Sequence, residues 1–166
     1  MKLQICKTKN ILGIDPGSTK IGYGVISYES RVSSPKSVGY GYIDLSHCAY
    51  ESKRLLRLYS DLKEIFQKYE PVAIAIENIY FFKNAKTVIP VLQARGVILF
   101  TAAEAKINVS EYTPLQIKQT ISGYGKADKK LIQKLVQSSL DICTNIKPDD
   151  ASDALAIALC YFRHLT

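Results

Sequence analysis

At 166 residues the chain has the length of one domain with a core of its own, and a hydrophobic content of 47% excludes a disordered polymer. The formal net charge of +7 favours a polyanionic partner, although an ordinary basic protein carries such a charge too. The cysteines (Cys6, Cys48, Cys143, Cys160) are scattered without a C-x-x-C pair, and His47 and His164 lack ligand spacing. A zinc site or histidine metal cage is therefore not expected, and a reduced, cytoplasmic chain is the simpler reading. No apolar run approaches the length of a membrane span, so no membrane partner is expected. Residues 1–10 carry Lys2, Lys7 and Lys9 without an apolar core, and read as a short basic extension rather than a secretory leader. No repeat or linker divides the remainder, so residues 1–166 are taken as one domain.

The first element is Ile11-Leu12-Gly13-Ile14-Asp15, an apolar run ending on a carboxylate. Pro16-Gly17-Ser18-Thr19 is turn chemistry, and a second apolar run leaves through Gly22, Gly24 and Val25 to Tyr28. Asp15 is thus expected at the end of a central strand, where a charge is costly unless paired. A turn-capping Asp is the alternative. A Walker loop is excluded, because that motif needs Gly-Lys-Ser/Thr opening a helix. Val38 to Leu45 alternates as a third, antiparallel strand, weakened by Gly39 and Gly41. Tyr50 to Tyr69 is an amphipathic helix with Leu55, Leu58, Leu62, Ile65 and Phe66 on one face, ended by Glu70-Pro71.

Val72 to Ile76 is an unbroken apolar strand closed by Glu77, repeating the Asp15 pattern. Continuous runs suit a strand covered on both faces, and open α/β sheets place their sites at such carboxyl ends. Asn78 to Asn84 carries Tyr80, Phe81, Phe82 and Lys83: core aromatics on one reading, base stacking on the other. A long helix follows, from Ala85 or Thr87 to Lys106, with Pro90 either in its first turn or kinking it. Asn108 to Tyr112 is a short strand. Thr113-Pro114 caps a helix to about Ile121. Ser122-Gly123-Tyr124-Gly125-Lys126 is a glycine loop, and Asp128 caps a helix through Leu140. Lys118, Lys126, Lys129, Lys130 and Lys134 straddle that loop against the single acid Asp128. They are either a solvated face or phosphate contacts. Asp149-Asp150-Ala151-Ser152-Asp153 opens the last helix, which runs through Phe162. The helix dipole alone explains acids in a first turn, but Asp150 and Asp153, three apart, share a face.

If Asp15, Glu77, Asp150 and Asp153 converge, their like charges raise one another's pKa values unless divalent cations intervene. An all-oxygen set suits Mg²⁺ or Mn²⁺, and two such ions activate water and stabilise the leaving oxygen in phosphodiester cleavage. Together with the basic charge this points to nucleic acid as substrate.

These residues resemble the RuvC-type Holliday junction resolvases over nearly all of residues 11–162. The resemblance rests on Gly13-Ile14-Asp15-Pro16-Gly17 with Gly22-Tyr23-Gly24, Ile76-Glu77 followed by Lys83-Asn84-Ala85, Gln93-Ala94-Arg95-Gly96, Lys118-Gln119-Thr120, and Asp150-Ala151-Ser152-Asp153-Ala154-Leu155-Ala156. It implies an α/β, ribonuclease H-like fold with a mixed central five-stranded sheet flanked by helices. It also implies that Asp15, Glu77, Asp150 and Asp153 bind two Mg²⁺ ions, with Mn²⁺ able to substitute, and it selects Asp150 over Asp149. Tyr80 takes the place of an aromatic, more often Phe, that stacks on a base near the crossover. Lys118 and Lys129 match lysines that contact DNA or support catalysis, and Lys83, Lys126 and Lys130 join them as expected DNA contacts. The family nicks opposing strands of four-way DNA junctions symmetrically during recombination and repair, as a homodimer beside a branch-migration helicase complex of the RuvA and RuvB type. Gln93 to Gly96 fall in its dimer-interface region, where Pro90 is unusual. The rival readings are another ribonuclease H-like nuclease, such as a YqgF-type enzyme acting on RNA, and a DNA-binding module without catalysis. The Asp150/Asp153 pair and the full-length match speak against the first, and the complete acid set against the second.

Overall fold

The computed structural model describes residues 8–29, 34–78 and 85–165, without the side chains of 85–87. Five strands, β1 (Lys9–Asp15), β2 (Lys20–Tyr28), β3 (Lys36–Asp44), β4 (Pro71–Glu77) and β5 (Asn108–Tyr112), form one sheet in the order β3-β2-β1-β4-β5. The hairpin pairs β1-β2 and β2-β3 are antiparallel, and β1-β4 and β4-β5 are parallel. This is the mixed five-stranded sheet that was expected. Five helices complete it: α1 (Glu51–Tyr69), α2 (Ala85–Glu104), α3 (Pro114–Ser122), α4 (Lys129–Ser139) and α5 (Asp149–Leu165).

The apolar runs are continuous because helices cover both faces of the central strands. Leu12, Ile14, Ile74 and Ile76 pack toward α1 and α2 with Leu58, Leu62 and Ile98. Ile11, Ile26 and Ala75 point the other way, into a layer built by α3, α4 and α5 with Ile117, Val136 and Leu155. Successive strand residues alternate faces, so Asp15 and Glu77 lie on the α5 side, in line with Ile11 and Ala75. Two glycines bring α5 close. A Cβ on Gly13 would lie 2.1 Å from the Ala154 carbonyl oxygen, and one on Gly22 equally close to that of Asp150.

Helix boundaries follow local chemistry. Glu70, with φ at 43°, ends α1 by donating its N–H to the Phe66 carbonyl. Thr113 and Gln116 form a capping box at α3, and the Asp128 carboxylate accepts the Leu131 N–H at the start of α4. One expectation shifts and one open alternative closes. Lys9 and Asn10, read as the end of an N-terminal extension, already belong to β1. Pro90 stands inside α2, beyond its first turn. Cys48, Cys143 and Cys160 are free thiols.

Candidate active site

Asp15 closes β1 and pairs across the hairpin with Gly22, which pairs in turn with Tyr42. On the parallel side Ile14 pairs with Ile76, so the next residues along, Asp15 and Glu77, stand side by side on one face of the sheet. Strand spacing puts their backbones about 5 Å apart. Over this pair lies the first turn of α5, admitted by the missing side chain of Gly22. Strand register and the docking of one helix therefore bring together carboxylates that are far apart in the chain.

The electrostatics agree. The Asp15 carboxyl is pushed from 3.8 up to about 7, chiefly by burial and then by the like charges of Glu77, Asp153 and Asp150, against a smaller lowering from Lys129. Glu77 is also raised, by burial and by Asp153, with Lys118 acting in the opposite sense. Burial likewise raises Asp153, although the Lys129 ammonium beside it pulls the other way. Lys129 Nζ stands 3.0 Å from Asp153 Oδ2 and 3.2 Å from Asp149 Oδ2. Asp149 also accepts a bond from Gln133 Nε2 at 3.1 Å, and its carboxyl is lowered by Lys129. Asp149 is thus turned toward α4 and held there, while Asp150 acts on Asp15.

A cavity of about 190 Å³ opens between these groups, lined by Glu77, Asp153, Lys118, Lys129, Pro114 and Ile117, among others. Arg163 steadies its α3 wall: its guanidinium donates to the Thr120 and Ile121 carbonyls at 2.8 and 3.0 Å. The structure therefore brings Lys118 and Lys129 to the acids. Lys126 and Lys130 are exposed on the adjoining loop and on α4, outside the cavity wall. Tyr80 and Lys83 lie outside the described residues.

The donor set is all carboxylate oxygens, with Asp15, Glu77 and Asp153 raised, and fits a hard divalent cation. Among the described residues, no three acids are grouped tightly enough to ligate one ion as they stand, and Lys129 holds Asp153. A cation held by all of them would require their side chains to rotate together. The sequence reading used Gly22 only as part of a motif. Its function here is to admit the acid-bearing turn of α5, and a glycine inside an otherwise apolar strand is the signal that marks such a close approach.

Comparison with known proteins adds independent information. The model of the family described as crossover junction endodeoxyribonuclease RuvC matches residues 11–161. The crossover junction endodeoxyribonuclease RuvC of Caldicellulosiruptor saccharolyticus is 49% identical over 152 residues, covering 91% of this chain and 90% of that protein. That of Syntrophomonas wolfei is 47% identical over 151 residues, covering 91% and 87%. The structure of Thermus thermophilus RuvC in complex with Holliday junction substrate superposes with a TM-score of 0.89 at 29% identity, covering 95% of this chain and 94% of that one. With a family model spanning residues 11–161 and a relative 49% identical over 152 residues, this chain belongs to the crossover junction endodeoxyribonuclease RuvC family.

Proposed function

We propose that this protein resolves four-way DNA junctions, nicking two opposing strands symmetrically in a metal-dependent reaction that serves recombination and repair in the bacterial cytoplasm. One observation carries the reading: Asp15, Glu77, Asp150 and Asp153 act on one another electrostatically at the end of the sheet, next to two lysines. In this reading the four acids hold two divalent ions, Mg²⁺ with Mn²⁺ able to substitute. When bound, such ions supply an activated water and stabilise charge on the leaving oxygen.

The chain's own groups do the rest. Burial and the charges of neighbouring acids raise the carboxyls of Asp15, Glu77 and Asp153, and bound cations would offset the cost of their negative charge. Lys118, facing Glu77 across the cavity, offers its ammonium to a phosphate oxygen of the entering strand. Lys129 anchors Asp153 and Asp149 and stands ready for the same phosphate. Lys126 and Lys130, exposed outside the cavity wall, extend the DNA-binding surface, and Tyr80 and Lys83 are further DNA contacts in this reading.

The protein acts as a homodimer, presenting one active site to each of two opposing strands. Ile89, Leu92 and Phe100 are exposed on α2 at helical spacing around Gly96, and this apolar stripe supports such pairing. Within the Gln93 to Gly96 segment, Ala94 is buried in the protomer's own core and Arg95 is bound to Glu111, so the stripe beside them is the surface left for a partner. No helix among the described residues is long and apolar enough to cross a membrane. The protein works beside a branch-migration helicase complex of the RuvA and RuvB type.

The test is cleavage of a synthetic four-way junction beside a linear duplex of the same sequence, with Mg²⁺ and with EDTA. Paired nicks in the junction alone, only with metal, are expected. Glu77→Gln should lose at least about a hundredfold in rate while still binding the junction, because the acids hold metal rather than DNA. Tight binding without nicks, across metals and several core sequences, would favour a binding module. Equal cleavage of the duplex or of RNA would favour another nuclease.

A further inference from the structure

We propose that Tyr124 is a stacking platform for the cleaved strand, holding the base next to the scissile phosphate. This inference rests on the junction-cleavage reading above. Tyr124 occupies the loop between α3 and α4, the two helices that send Lys118 and Lys129 into the cavity. Its side chain is 59% exposed. Among the described residues no hydrogen bond or ring contact engages that side chain.

The backbone beneath it is firmly held. Gly123, at φ 74°, donates its N–H to the Gln119 carbonyl and accepts a bond from Gln119 Nε2 at 2.7 Å. The Tyr124 N–H donates to Ser122 Oγ at 3.1 Å. The Ser122 hydroxyl is itself within bonding distance of the Lys118 and Tyr124 carbonyls, at 2.8 and 2.9 Å. The Ala127 N–H closes the turn on the Tyr124 carbonyl at 3.1 Å. A Cβ on Gly125 would lie 2.5 Å from the Leu115 side chain and 3.5 Å from that of Gln119, so the loop folds back along α3. Ser122 is one turn beyond Lys118, about 6 Å along the helix axis, a span comparable to one nucleotide.

An exposed ring on an anchored backbone, two residues before Lys126 and in the loop joining the helices that carry Lys118 and Lys130, matches what unpaired nucleic acid requires. The lysines take the phosphates, and the ring face takes a base whatever its sequence. In this scheme a phosphate drawn in between Lys118 and Lys129 leaves its neighbouring base over this loop. Tyr124 is a positioning residue in this scheme: it touches the strand but takes no part in the bond changes.

The experiment compares wild-type protein with Tyr124→Phe, Tyr124→Leu and Tyr124→Ala. It measures cleavage at saturating protein, and the fluorescence of a junction carrying 2-aminopurine beside the cut, bound in EDTA so that it stays intact. Tyr124→Ala should cleave about tenfold or more slowly, from the loss of one base–aromatic stack. It should also lose the fluorescence change that wild type produces. Tyr124→Phe should keep both, and Tyr124→Leu, apolar but without a π face, should resemble Tyr124→Ala. The proposal is overturned if Tyr124→Ala cleaves within about twofold of wild type, or if Tyr124→Leu matches Tyr124→Phe. A wild type that never cleaves junctions sinks the broader reading and this one together. A wild type that cleaves beside an equally active Tyr124→Ala sinks only this one.

Discussion

Replacing Asp15 with Asn should stabilise the metal-free protein at the same time as it abolishes cleavage. The native carboxyl titrates near 7 rather than 3.8, mainly because it is buried and then because Glu77, Asp153 and Asp150 repel its charge. Between those two values the native state holds a proton that the unfolded chain has released. Stability therefore falls with rising pH, by up to about 1.4 kcal/mol for each pH unit. The contribution is fully present below about pH 4 and lost as pH rises through about 7, which sets a ceiling of about 4 kcal/mol. Asn is neutral at every pH and nearly isosteric with the protonated acid. Urea unfolding in EDTA should thus find Asp15→Asn about equal to wild type near pH 4 and more stable by about 2–4 kcal/mol near pH 8. At a typical slope of 1–3 kcal/mol per molar, that moves the midpoint by roughly 1 M or more. Millimolar Mg²⁺ should narrow the gap by binding the folded wild type more tightly than the variant. Parallel curves for the two proteins from about pH 4 to pH 8, or a variant less stable than wild type near pH 8, would refute the account of Asp15 as a buried charge held for function.

Gly22→Ala should destabilise the fold by about 1–3 kcal/mol through overpacking, because the new methyl meets the Asp150 backbone. It should also slow cleavage by displacing the acid-bearing turn, and thermal unfolding beside a junction assay reads both effects. Lys129→Met should cost less than about 1 kcal/mol of stability, since that ammonium is half exposed. Among the described residues it removes the positive charge that lowers Asp15, so the acid limb of the pH–rate profile should move to higher pH. An unmoved profile would exclude Lys129 from the site's charge balance. On the proposed pairing through α2, Leu92→Glu with Phe100→Glu should leave only monomers by sedimentation, with an unfolding midpoint close to wild type, because both residues are exposed in the protomer.

Much of the fold was legible in the chain because local physics writes it there. The apolar runs ending at Asp15 and Glu77 mark central strands, since only residues covered on both faces are apolar without interruption. Thr113-Pro114 and Asp128 announce helix starts through the orphan N–H groups they satisfy. The periodicity from Leu55 to Phe66 identifies α1 in the same way, because one face must be apolar to pack. The site itself was less legible. Asp149 and Asp150 are adjacent on a helix, and nothing local says which of them faces the sheet. Family resemblance favoured Asp150, and the approach of α5 over Gly13 and Gly22 supplies the reason. Of the lysines around the glycine loop, only the packing of α3 and α4 decides that Lys118 and Lys129 line the cavity while Lys126 and Lys130 remain outside. The placement of Asp15 beside Glu77 depends on the register of β1 against β4, two strands separated in sequence by a hairpin, a third strand and α1. Composition and periodicity determine which segments must be buried and which ends must be charged. Which charges meet is decided by register and helix docking, because those depend on contacts between residues remote in the chain.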